Sequence, residues 1–300
     1  VAFNPPPALG NVFTDTPGHW AEKWAEYMLQ EEIVSSSPTY NPNGTLTRGE
    51  MAVFIGRAMN RKSELSKGLA FAHGEFPEDI DALGAEWYYT WGPTGSLSDE
   101  RYVPMYRGGV NDRWLTLPAD YAGYILLFNE PNNGEPYGCS LPPAAAAAKY
   151  QEAIAFHPNA KFVVGGVSAW LDVFQNYAWL VPFQQACVSL GVPIPTRWHV
   201  HGYVESWITA DKLIEWWRKQ LRLVPGDLWI TEFGSVSGSV GDYVKLIEWM
   251  KSVSRIKRMA AFTNRLQSTD PWMPPGWEPM ALLNWDGTLR PHGEYYQQVA

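Results

Sequence analysis

Along most of this chain, short apolar runs alternate with segments whose apolar residues recur every three or four positions. The runs predict eight strands: Leu69–Ala72, Glu86–Trp91, Arg101–Met105, Tyr124–Phe128, Lys161–Val167, Trp198–Tyr203, Leu228–Glu232 and Met259–Thr263. Several are apolar on both faces, as strands in a covered parallel sheet must be. Three intervening segments, Ala144–Phe156, Ala210–Leu221 and Val240–Ser254, read as amphipathic helices. Residues 73–123 have little helical pattern, which predicts short early crossovers. Strands alternating with helices in this way predict an α/β fold, a (β/α)8 TIM barrel spanning residues 68–300.

The N-terminal part has a different texture. Residues 1–11, with Pro5-Pro6-Pro7, read as an extended linker, and residues 12–60 as a small helical unit. Pro17 suits a first helical turn, and Trp20, Trp24, Tyr27, Met28 and Glu31 follow at helical spacing. A polar loop over residues 35–45 ends this helix, a second opens at Thr47-Arg48-Gly49-Glu50, and residues 61–67 form a charged connector. The unit resembles one repeat of the S-layer homology family through Phe13, Asp15, His19-Trp20-Ala21, Ile33-Val34, Tyr40-Asn41-Pro42 and Leu46-Thr47-Arg48-Gly49-Glu50-Met51-Ala52. Glu32 replaces the family's usual Gly, and a single repeat stands where the family normally has three. The resemblance implies attachment to cell-wall polysaccharide. Thr47 and Glu50 read as a capping box. That leaves Arg48, at a helix N-terminus, as the candidate to grip an anionic sugar. A lone repeat has a small core, so packing on the following domain or assembly with other copies is expected.

Composition narrows the partners. A formal charge of -8 and a pI near 5.3 argue against nucleic acid. No apolar run reaches the roughly eighteen residues that span a bilayer. Aromatics are many, with 16 Trp, 15 Tyr and 12 Phe; part of them is core, but sugar clefts also use flat apolar faces with a polar edge. With no initiating Met and no signal peptide, the chain reads as mature or trimmed. Cys139 and Cys187 are too few for a metal site and, on a barrel, too far apart to bridge, so both read as free thiols.

Two acids close apolar runs. Tyr124–Phe128 leads into Asn129-Glu130-Pro131, and Leu228–Thr231 leads into Glu232-Phe233-Gly234. A carboxylate is costly to bury unpaired, so an acid ending a core strand suggests a placed group. Active sites of such barrels lie at the C-terminal strand ends. Glu130 follows the fourth predicted strand and Glu232 the seventh. Taken alone, Asn-Glu-Pro reads more readily as a turn and Thr-Glu-Phe-Gly as a strand end with a surface acid; the pair at one mouth reads as catalytic. The arrangement resembles clan A glycoside hydrolases, and more closely the Asl1-like catalytic domains of glycoside hydrolase family 128, which are endo-β-1,3-glucanases. The match runs through Trp87–Gly92, Tyr102–Met105, Leu127–Pro131, Trp170-Leu171, His201-Gly202-Tyr203 and Trp229–Phe233. Two departures, Gly202 within that His-x-Tyr motif and Asn264-Arg265 where an aromatic is common, fall at substrate-contact positions.

The resemblance implies a retaining mechanism with Glu130 as acid/base and Glu232 as nucleophile, and it requires neither metal nor cofactor. Tyr203, ending strand six, is placed to donate to Glu232, and Asn129 is a candidate for the sugar 2-OH. His201 points to the same side of its strand as Tyr203 and is a candidate contact; a satisfied structural histidine fits as well. Trp91, Trp170, Trp207 and Trp272 follow strands two, five, six and eight, so some are expected to be sugar platforms and some core. The expected protein is a bacterial, secreted or wall-associated enzyme acting on a β-glycan polysaccharide, with β-1,3-glucan foremost. The rivals are the same mechanism on a β-1,4-glucan, mannan or xylan, and a non-catalytic wall-binding protein. A pure binder has no need of both glutamates.

Overall fold

The computed structural model describes residues 14–17, 19–30, 39–45, 65–93, 99–108, 117–170 and 178–299. The chain divides into two compact units, Val1–Glu64 with Ser252–Arg255, and Leu65–Lys251 with Ile256–Ala300.

In the first unit, helix α1 spans Glu22–Gln30. Ahead of it, the Asp15 carboxylate accepts the backbone amides of Tyr40 at 2.8 Å and Asn41 at 2.6 Å. These amides favour the charged form, led by Tyr40, and hold the Asp15 pKa below its ordinary value. Asn41 takes a left-handed φ of 57° to start the turn that Gly44 closes. The predicted second helix and Arg48 lie outside the described residues.

The second unit has eight parallel strands: β1 Ser66–Ala70, β2 Trp87–Tyr89, β3 Met105–Tyr106, β4 Tyr124–Leu127, β5 Lys161–Ser168, β6 Arg197–Val204, β7 Asp227–Ser235 and β8 Ile256–Phe262. Their order is β2-β1-β8-β7-β6-β5-β4-β3. Tyr88 bridges Tyr102 in parallel, with Val103 N–H donating to the Tyr88 carbonyl at 2.8 Å, so the two ends of the sheet meet. The result is a nearly closed (β/α)8 barrel. Helices α2 Glu78–Ala82, α3 Pro143–Phe156, α4 Leu180–Ser189, α5 Ala210–Leu223, α6 Val240–Lys251 and α7 Pro291–Gln298 run between or after the strands. No described helix is long and apolar enough to cross a membrane.

Local chemistry sets these elements. Pro143 sits in the first turn of α3, where its missing N–H costs nothing, and alanines continue the helix. Thr209 caps α5 by accepting from Lys212 N–H, and Leu213, Trp216, Trp217, Gln220 and Leu221 bury one face. Strand side chains alternate: Ala70, Trp87, Tyr89, Met105, Leu126, Val163, Trp229, Ala260 and Phe262 join one buried cluster inside the barrel. Gly68 is required there, because a Cβ would meet the Trp87 indole at 2.3 Å.

The bottom of that cluster is closed by a cation. The Arg258 guanidinium lies 4.5 Å from the Trp229 ring centroid, 4.7 Å from Tyr124 and 5.3 Å from Trp87. The first strand is also tied to the end of the chain. Lys67 Nζ donates to the carbonyls of Tyr296, Gln297 and Val299 at 3.2, 2.9 and 2.8 Å, capping the C-terminus of α7. Burial pushes the Lys67 pKa down, against the pull of nearby Glu86. Neither Cys139 nor Cys187 is in a disulfide.

Candidate active site

At the C-terminal ends of the strands the backbone leaves regular geometry. Trp91, Phe128 and Glu130 hold φ values of 56°, 76° and 44°. Such left-handed conformations cost side-chain-bearing residues about 1–3 kcal/mol each and cluster at functional sites. The β5–β6 register shifts between Gly165 and Val167, and Gly166 has φ 63°. A Cβ on Gly166 would stand 2.8 Å from the Phe128 carbonyl oxygen. That close approach lets Glu130 N–H donate to the Gly166 carbonyl at 2.9 Å, which fixes the turn bearing the acid. A second irregularity, between Val200 and His201, puts His201 opposite Glu232 in the β6–β7 register.

Both glutamates are buried, and their surroundings differ. Glu232 Oε1 accepts the Tyr89 hydroxyl and the Trp91 indole N–H, each at 2.8 Å, and its Oε2 accepts the Tyr203 hydroxyl. Burial and then the Glu232 charge hold the Tyr89 and Tyr203 phenols well above their ordinary pKa, so both stay donors. Glu130 Oε2 accepts the Asn133 amide at 2.8 Å. His201 Nδ1 stands 3.3 Å from Oε1 of each glutamate. Burial opposes a charge on this imidazole, yet the two carboxylates outweigh it and raise its pKa. His199 is the contrasting case. Its Nε2 faces the Leu127 carbonyl at 3.0 Å and its Nδ1 the Thr231 hydroxyl at 2.9 Å. Burial, aided by His201, lowers its pKa to about 3, so it is a neutral structural link between β4, β6 and β7.

One oxygen of Glu130, one of Glu232 and a His201 nitrogen lie within 4.8 Å of one another, the one such group among the described residues. Those atoms could offer a cation one nitrogen and two oxygens. Phenol, indole and amide donors already point at the carboxylate oxygens, however, an arrangement suited to bare carboxylates.

The pair opens into a cavity of about 550 Å³. Of the residues predicted to touch substrate, Asn129, Trp91, Trp170, Tyr203 and Trp272 line it. Asn129 donates its amide to the Tyr137 carbonyl at 2.8 Å, and among the described residues its Oδ1 has no partner. Trp91 serves the Glu232 carboxylate through its indole nitrogen as well as lining the wall. His201 does not line the cavity and lies beneath the glutamates. Trp207 is likewise outside the wall, its ring 6.3 Å from Trp170 at 69°. Sequence reasoning gave no role to Tyr89, Asn133, Glu205, Tyr137 or Phe262; all but Tyr89 line the cavity. Asn133 was the most accessible of these, three residues past Glu130.

The expectation that Asn264-Arg265 alters a substrate contact is corrected. Arg265 is buried, with Nε 2.9 Å and Nη2 2.7 Å from the two Asp79 oxygens, and Asn264 donates to the same carboxylate at 2.9 Å. The pair is a structural tie between α2 and the segment after β8, and Trp272 and Trp277 provide the aromatic surface on that side.

The family model described as glycosyl hydrolase catalytic core matches residues 68–296, and that of the S-layer homology domain matches residues 12–52. No curated protein matches the chain. Among solved structures, a GH128 subgroup II endo-β-1,3-glucanase from Sorangium cellulosum is 24% identical, with TM-score 0.58, over 78% of this chain and 98% of its own. A variant of a GH128 subgroup I endo-β-1,3-glucanase from Amycolatopsis mediterranei, in complex with laminarihexaose, is 19% identical, with TM-score 0.62, over 78% and 99%. A subgroup III curdlan-specific exo-β-1,3-glucanase from Blastomyces gilchristii is 22% identical, with TM-score 0.55, over 80% and 100%. At these identities the structural likeness speaks for the barrel.

Proposed function

Because the chain belongs to the glycosyl hydrolase catalytic core family and is a glycoside hydrolase, we propose that it is a retaining enzyme that cuts β-1,3-glucan internally. Glu130 is the acid/base and Glu232 the nucleophile. In the first step a Glu232 oxygen attacks the anomeric carbon while the Glu130 proton passes to the glycosidic oxygen. The carbon–oxygen bond breaks and the aglycone leaves as an alcohol. In the second step Glu130, now a carboxylate, takes a proton from water, and the water oxygen displaces Glu232 from the same carbon. Two inversions give net retention.

The observation behind this reading is the closeness of the two carboxylates, with one oxygen of each within 4.8 Å. Retaining pairs stand about 5–5.5 Å apart, whereas inverting pairs leave about 6.5–9.5 Å for a water. The unequal partner sets support the division of labour, since two hydroxyls and an indole N–H serve Glu232, while the Asn133 amide and the His201 imidazole serve Glu130. The Oδ1 of Asn129, without a partner among the described residues, suits the sugar 2-OH. His201 is a positioning residue between the carboxylates, and Trp91, Trp170 and Trp272 are sugar platforms, with Trp207 supporting Trp170. Aromatic walls on both sides of the pair, Trp170 after β5 and Trp272 after β8, favour internal cleavage. The choice of β-1,3-glucan draws on the named activities of the structural neighbours. A β-1,4-linked glycan cut by the same two glutamates is the second reading.

Hydrolysis of laminarin, curdlan, cellulose, mannan and xylan by wild type and Glu232→Gln tests both. Release of β-anomer first, seen by proton NMR, is expected from laminarin with wild type alone. Initial α-anomer would sink the retaining mechanism, and cleavage of a β-1,4 glycan alone would sink the substrate. The S-layer homology match supports cell-surface or wall association of the N-terminal unit, with Arg48 as the wall-polymer contact. Retention on purified wall polymer should fall in Arg48→Ala; equal retention removes Arg48 from the proposal.

A further inference from the structure

A tryptophan occupies a hairpin tip beyond the cavity, where turns ordinarily carry small or polar residues. Leu283 and Leu289 close the hairpin as an antiparallel bridge. Asn284 N–H donates to the Thr288 carbonyl at 2.8 Å, Gly287 N–H to the Asn284 carbonyl at 2.9 Å, and the Thr288 hydroxyl to Asp286 at 2.6 Å. Arg265, itself locked on Asp79, donates to the Trp285 carbonyl at 2.8 Å. The backbone is thus held at the neck of the hairpin, across its turn and at the Trp285 carbonyl. Its indole meets His73 at 5.0 Å and Phe76 at 5.2 Å, both at 88°, so neither ring lies parallel over it. The side chain remains 42% exposed. Burial does not explain so large an apolar group at so rigid a tip.

Its surroundings indicate what it is for. His73 is held from both sides, by Glu75 at 2.9 Å and Asp270 at 3.1 Å. The same imidazole stands 6.1 Å from Trp272, a wall of the cavity. His73 therefore links the cavity-wall Trp272 and the hairpin Trp285 in a row of three neighbouring rings. The exposed carboxylates of Glu75 and Asp286 flank the row; they can accept from hydroxyls and would repel an anion. A neutral polyhydroxylated chain fits this chemistry. Trp272 follows β8, four strands from β4 in the ring, so the row lies across the mouth from Glu130. The acid must sit beside the leaving oxygen, so sugars on the Trp272 side belong to the portion transferred to Glu232.

Resting on the function proposed above, we propose that Trp285 is a distal glycone subsite, on which the non-reducing extension of the same neutral β-glucan chain stacks outside the cavity. The test is a length series of β-1,3-gluco-oligosaccharides with wild type, Trp285→Ala and Trp285→Phe. In wild type kcat/KM rises as the chain becomes long enough to reach Trp285. Trp285→Ala should lose about tenfold of that rise, mainly through KM, and Trp285→Phe should recover part of it. The same rise in Trp285→Ala overturns the proposal. If wild type cuts only another β-glycan, the substrate reading fails. The same series on that glycan then decides Trp285, because stacking uses the pyranose face whatever the linkage. Retardation of Glu232→Gln in native gels containing soluble β-glycan gives a readout free of catalysis. Equal retardation with Trp285→Ala added overturns the subsite, and no retardation by any glycan overturns both proposals.

Discussion

On the roles proposed for Glu232 and Glu130, a carboxylate that attacks and a carboxyl that gives up a proton need different neighbours, which single side chains would supply. Tyr89 and Trp91 each give Glu232 Oε1 one hydrogen bond of 2.8 Å. Tyr89→Phe and Trp91→Phe are therefore each expected to lower kcat by about 10²-fold with little change in KM, as measured by steady-state kinetics on the preferred glucan. A loss seen in KM alone would show that these groups serve binding. Glu130, Glu232 and Tyr203 were legible because each ends an apolar run. Tyr89 was not, since it lies 143 residues from Glu232 in the chain and inside a three-residue strand. Trp91 was legible as a residue of the mouth, but its indole nitrogen could not be assigned a partner from a linear pattern.

At the scale of strands and turns, the site depends on β5 giving way to β4. Gly166→Ala places a Cβ 2.8 Å from the Phe128 oxygen at a φ of 63°. A loss of about 2 kcal/mol or more in denaturant unfolding is expected, together with a drop in kcat, because the Glu130 amide is bonded to that same residue. His199 gives the interior of β6 a pH dependence. Its folded pKa of about 3 lies below the ordinary 6.5, so the unfolded chain binds the extra proton between these values. Stability thus rises with pH through this window and falls on acidification. His199→Gln should flatten the slope by on the order of 3 kcal/mol between pH 6.5 and 4, read from urea unfolding of the two proteins. An unchanged slope would mean that the imidazole is charged inside the barrel.

For the whole molecule, closure matters most. Lys67 joins the first strand to the last helix through three carbonyls. Lys67→Met keeps the stem and leaves those carbonyls uncapped, so a loss of about 1–3 kcal/mol is expected in chemical unfolding, with kcat unaffected. A variant as stable as wild type would show that the cap contributes nothing net. The same lysine explains a boundary that was misjudged: the polar pair Ser66-Lys67 hides the start of β1, which the apolar pattern placed at Leu69. β3 shrank for a related reason, because Tyr102 makes only a bridge and the strand resumes at Met105 after Pro104. The eightfold alternation itself was readable, since strands covered on both faces are apolar throughout. The hydrogen-bonded tie of Arg265 to Asp79 spans 186 residues and left no trace in the local pattern.

The Arg258 plug has a further consequence. With its guanidinium among Trp87, Tyr124 and Trp229, the barrel is a cup and not a tube. A glycan cannot thread through it and reaches the two glutamates from the rim alone. On the internal cleavage proposed above, such an open rim would let a fibre with few free ends be cut along its whole length.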